Sequence, residues 1–98
     1  IKSFINDLQN DVERMQKSYE GSQPKDYVVP TKIEEVCFVD ESQNLRLIGE
    51  KYSDAKKING INIEKTLGKE EEYCIQNIDG KIKLKLEINY GETLVTIK

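Results

Sequence analysis

The sequence predicts an α+β domain in which one N-terminal amphipathic helix packs on an antiparallel sheet that ends in a three-stranded meander. Three observations carry the prediction. Ile1, Phe4, Ile5, Leu8, Val12, Met15 and Tyr19 recur at steps of three and four, with a polar back between them. Ile82, Leu84, Leu86, Ile88 and Tyr90 alternate with Lys81, Lys83, Lys85, Glu87 and Asn89, the period of a half-buried strand. Asp79-Gly80 and Gly91-Glu92 flank that strand with residues suited to two-residue hairpin turns.

The apolar stripe implies a helix over 1–19, of about five turns. No Ser, Thr, Asp or Asn precedes Ile1 to cap it. That start suggests a helix cut within a longer one, with a hydrophobic segment upstream. At the other end, Gly21 suits a left-handed helix stop, and Pro24 cannot continue a helix.

Asp26–Val29 then reads as a short strand, with Pro30 at an edge or strand start. In Ile33–Asp40, Val36 and Phe38 alternate with Cys37 and Val39, so both faces are apolar and the strand should be central. Leu45, Leu47 and Ile48 read as a short strand or the start of a covering segment. Ser53–Ile58 reads as one helical turn, capped by Ser53 and stopped at Gly60. The middle, 41–72, is otherwise read as irregular.

Tyr73–Ile78 is read as the first strand of the meander. A two-residue Asp79-Gly80 loop would pair Asn77 with Ile82, Ile75 with Leu84 and Tyr73 with Leu86. A Gly91-Glu92 loop would pair Ile88 with Val95 and Leu86 with Ile97. Both registers place the apolar residues on one face, which a one-residue slip would not do. The whole chain, 1–98, is read as one domain: a helix over 1–20 and a sheet region over 21–98.

Composition narrows the function. The formal net charge is −3, the pI is about 5.0 and there is no basic block, so nothing marks a nucleic-acid partner. No run of about eighteen apolar residues occurs. Charged residues make up 34% of the chain, with Lys, Glu and Ile prominent, a balance seen in proteins built for heat. There is no histidine, which excludes Ser-His-Asp, Cys-His and histidine-metal chemistry. Glu34-Glu35 would point to opposite faces of a strand, so they do not form a glycosidase pair. Asp40-Glu41 and Glu70-Glu71-Glu72 are the other carboxylate runs, and neither has the spacing of an EF-hand. No catalytic, cofactor-binding or metal-binding residue is assigned, and no enzymatic activity is expected.

Cys37 and Cys74 both fall in predicted strands. They read either as a disulfide or as two independent buried thiols. A bridge would close a loop of about 37 residues, worth roughly 3–4 kcal/mol by chain entropy. It would imply an extracytoplasmic site, or the cytosol of a hyperthermophile. Two cysteines without a histidine do not complete a tetrahedral zinc site.

The helix FINDLQNDVERMQKSY, the Gly-Ser break, the strands YVVP and VCFVD, the second cysteine and the terminal DGKIKLKLEINYGETLVTI resemble the soluble part of small archaeal membrane-anchored proteins. More broadly the pattern is similar to type IV pilin-like proteins. The resemblance implies a long helix that begins in the membrane or filament core and packs its second half on a sheet, often with a disulfide. It implies an extracytoplasmic, membrane-anchored protein whose partners are other proteins or its own copies, with no cofactor. The alternative expectation is a soluble intracellular module that binds a partner by strand addition at Asp26–Val29 or Thr93–Lys98.

Overall fold

The computed structural model describes residues 1–18 and 20–98. In chain order its elements are α1 (Lys2–Gln16), β1 (Gly21–Val28), β2 (Glu35–Val39), β3 (Leu45–Ile48), β4 (Ser53–Lys56), α2 (Ile63–Leu67), β5 (Glu72–Gln76), β6 (Lys81–Ile88) and β7 (Thr96–Ile97). The fold is α+β. A three-stranded sheet has the order β1-β6-β7, and a four-stranded sheet has the order β4-β3-β2-β5. All named pairs are antiparallel.

α1 buries Phe4, Leu8, Val12 and Met15, and Ile1 and Ile5 pack at the margin. No side chain caps its start. Tyr19, expected at the end of the stripe, lies outside the described residues. The helix ends earlier than the pattern suggests. The Lys17 and Ser18 amides turn back onto the carbonyls of Arg14 and Met15, at 3.2 and 3.0 Å. Gly21 is not a left-handed stop; it opens β1 with an ordinary φ.

β1 is twice as long as Asp26–Val29 suggests, because Pro24 does not interrupt it. The Val29 amide donates to the Gly80 carbonyl, so the ladder alternates and the backbone of Ser22, Pro24, Asp26 and Val28 faces away from β6. Pro24 lacks an N–H only where none is needed. The inward face of this sheet is Tyr27, Ile82, Leu84, Leu86, Ile88 and Ile97, and it joins the stripe of α1 in one core with Val36, Phe38, Leu45 and Leu47 of the second sheet. β2 is central, as both its apolar faces imply.

The meander is overturned. The Asp79-Gly80 turn forms with φ of +54° and +83°, and Ile78 and Lys81 exchange both backbone hydrogen bonds, at 3.0 and 3.1 Å. The hairpin stops there. β7 takes the edge of β6 that β5 was expected to fill, since Lys85 exchanges both backbone hydrogen bonds with Lys98 on the side where Lys81 meets Ile78; β1 pairs along the opposite edge over eight residues. β5 crosses to the other sheet and pairs with β2, beginning with the Asn77 amide on the Glu34 carbonyl at 2.8 Å. The second turn is also displaced. The Glu92 amide donates to the Asn89 carbonyl, so Gly91 (φ +87°) is the second of the two central residues of the turn, not the first. Leu86 still faces Ile97, but Val95 pairs with Ile61 rather than Ile88.

The middle is not irregular. Ser53–Lys56 is an edge strand on β3, not a helical turn, because the Gly49 amide closes a hairpin onto the Tyr52 carbonyl at 2.8 Å. α2 is a short helix whose Asn62 side chain accepts from the Lys65 amide and whose stop is Gly68 at φ +61°. Two side-chain amides hold the segment between them. Asn44 exchanges both hydrogen bonds with the backbone of Ile58, each at 2.9 Å, and Gln9 of α1 does the same with Asn59, at 3.0 and 2.8 Å. Asn44→Ala strands a buried N–H and C=O and is expected to lower stability by about 2 kcal/mol, measured by urea unfolding.

Candidate functional site

Three surfaces bring chemistry-bearing residues together. The first is the face of the four-stranded sheet away from the core. Val36 and Phe38 point inward, so Glu35, Cys37 and Val39 point outward. Cys37 lies directly opposite Cys74, between the hydrogen-bonded pairs 36/75 and 38/73, where antiparallel strands approach most closely. The two are joined by a disulfide across a Cα separation of 4.0 Å. Cys37 is fully buried and Cys74 half-buried. Glu35 lies on the same face and accepts a hydrogen bond from the Gln76 amide at 2.6 Å. Arg46 of β3 is the cross-strand neighbour of Cys37 on its other side. The bridge was expected to tie β2 to a strand of the meander; it ties two adjacent strands of one sheet.

The second surface is a groove of about 940 Å³ beside α2. Asp40, Glu41, Glu64, Glu70, Glu71 and Glu72 line it, over a floor of Val39, Ile63 and Leu67. The two acidic runs singled out in the sequence therefore meet in space. Glu64 and Arg46, which forms an ion pair with Glu41, complete the rim. Glu34 and Glu35 do not join them.

The third surface is the outer face of the three-stranded sheet, where Lys81, Lys83 and Lys85 stand exposed in a row. Lys83 faces Asp26 across the β1–β6 ladder. Lys83→Glu sets two like charges side by side there and is expected to cost under about 1 kcal/mol, read as a shift in urea midpoint. A larger loss would mean that the face is covered.

The titratable groups that depart from their usual values serve the fold. The Tyr27 hydroxyl donates to Asp11 of α1 at 2.7 Å; burial, then this bond and the Asp11 charge, push its pKa far up. Its ring meets Phe4 edge to face, with centroids 5.4 Å apart. Glu92 is held below the carboxylate range by the Lys65 ammonium at 2.8 Å and by the Asn89 amide at 2.9 Å. A lowered native pKa gives stability that is complete above the unfolded value near 4.5 and is lost as pH falls through the native value. The stability difference between the wild type and Glu92→Gln should therefore shrink between pH 6 and pH 3 in urea titrations.

Comparison of the chain with known protein families, with curated proteins and with solved structures finds no match.

Proposed function

We propose that this chain is the extracytoplasmic, non-enzymatic domain of a membrane-anchored, pilin-like protein that serves filament assembly or adhesion at the cell surface. The observation that carries the reading is the closed Cys37–Cys74 bridge, since such bonds persist in oxidising compartments. The amphipathic α1, laid on one face of an antiparallel sheet, is in keeping with the pilin-like pattern. Self-assembly has a charge match to draw on. The Lys81, Lys83 and Lys85 row and the acidic groove beside α2 are different surfaces of one chain, which suits a head-to-tail contact between copies.

Intact cells of the native host supply the test. Thiols are trapped with a bulky maleimide during lysis, and a parallel sample is treated with external protease before lysis. The expected result is a membrane-fraction protein that takes up no maleimide unless first reduced and that external protease removes. A reduced, protease-shielded protein would overturn the reading.

A second reading rests on the open side of β1. The strand ends its sheet, and among the described residues the outward backbone of Ser22, Asp26 and Val28 pairs with no other strand and can accept an added one, Pro24 apart. The other edge named from sequence, Thr93–Lys98, is less open. Val95 is engaged by Gly60 and Asn62, at 2.8 and 2.7 Å. A soluble intracellular module of this kind would show the reduced thiols that the first reading forbids.

A further inference from the structure

We propose that reduction converts the Cys37–Cys74 bridge into a metal site: the two thiolates and the Glu35 carboxylate together bind a borderline or soft divalent cation of the Zn²⁺ and Cd²⁺ class. This goes beyond the proposed function and does not depend on it.

The geometry is already assembled. One ligand atom from each of Glu35, Cys37 and Cys74 lies within 4.8 Å of the other two. Glu35 and Cys37 are two apart on one face of β2, and Cys74 stands directly across from Cys37. A tetrahedral zinc ion with bonds of about 2.3 Å to sulfur holds its two sulfurs about 3.8 Å apart. Neighbouring cysteines on paired strands reach that separation by side-chain rotation, so the backbone ladder is kept. Gln76 holds the Glu35 carboxylate in place through its 2.6 Å hydrogen bond. Arg46 stands across from Cys37 on the other neighbouring strand. Cys37 is buried, while Cys74 and Glu35 are half-buried, which leaves one open side for entry and for a water as fourth ligand.

The chemistry balances. An external dithiol breaks the S–S bond and is itself oxidised to a disulfide; its two electrons and two protons leave Cys37 and Cys74 as thiols. Metal binding then releases the two thiol protons to solvent. In the oxidised chain the sulfurs are bonded to each other and offer no thiolate. The disulfide and the metal are therefore alternative ties between the same two strands.

The full 98-residue chain is reduced with a phosphine, desalted without oxygen and titrated with Cd²⁺, while the thiolate-to-metal absorption band and the far-ultraviolet circular dichroism are recorded. One equivalent should bind to the reduced chain and none to the oxidised chain. Glu35→Gln should weaken binding at least tenfold, and Cys74→Ala should abolish it. Should reduction unfold the chain, one equivalent of Zn²⁺ is expected to restore the native spectrum, and Glu35→Gln should need at least tenfold more. Absence of binding, equal affinity in Glu35→Gln, or metal taken up by a chain that stays unfolded would each overturn the proposal.

Discussion

Leu86→Asp should leave no cooperative unfolding transition at neutral pH. Leu86 is fully buried at the centre of the three-stranded sheet, with Gln23 on one side and Ile97 on the other. Its face is the one that α1 covers with Phe4, Leu8 and Val12. A carboxylate there loses its water and finds no cation across either ladder. The cost, about 5 kcal/mol or more, is comparable with the whole stability of a domain this size. Leu86→Ala removes the side chain without adding charge and should cost about 2–5 kcal/mol. Near-ultraviolet circular dichroism and thermal melts read both variants. A Leu86→Asp protein that melts cooperatively within about 1 kcal/mol of the wild type would mean that α1 does not cover this face. Leu84 is a weaker probe, because Lys25 stands opposite it on the same face and can approach an introduced carboxylate.

Removing the bridge by Cys37→Ala with Cys74→Ala is the next largest effect. The sequence separation is 37, and freeing that loop in the unfolded chain should cost roughly 3–4 kcal/mol. The bridge joins strands that already pair, so little native contact is lost and the change lies in the unfolded ensemble. The dependence of unfolding free energy on urea should steepen, because the unlinked chain exposes more surface. A loss under about 1 kcal/mol, with an unchanged slope, would show that the bridge adds nothing the sheet does not already impose.

Features set by local pattern were legible in the sequence. The alternation of β6 places Ile82, Leu84, Leu86 and Ile88 inward without ambiguity, and Asp79-Gly80 needs positive φ at both positions. Strand parity puts Leu86 and Ile97 on the same inward face, and they do pair. What failed was the choice of partner. The Asp79-Gly80 turn is equally consistent with a long hairpin and with a chain that leaves after one bridge, and the outcome is decided by long-range pairing, β7 on that edge of β6 and β5 on β2. Ser53–Lys56 carries no apolar period because it is an edge, so local cap residues outweighed a strand that exists only through β3. Asn62 and Gly68 did mark α2, six residues apart around a single short helix, and were passed over within a charged segment. The acidic runs were visible one at a time, and their meeting in one groove depends on α2 and on β5 crossing to β2. The amide exchanges of Asn44 with Ile58 and of Gln9 with Asn59 left no sequence signal, because any exposed Asn or Gln looks the same.

The order β1-β6-β7 bears on how the molecule carries tension. β1 and β7 both run antiparallel to β6, so they point the same way. Pulling the two chain ends apart draws β1 backwards and β7 forwards along the same central strand. Once α1 has peeled away, the load falls across the β1–β6 bonds in shear, where they resist together rather than opening one by one. The disulfide then sets how far the chain can lengthen. The 37-residue loop it closes holds about 120 Å of extended chain in reserve, released only when Cys37 and Cys74 are parted.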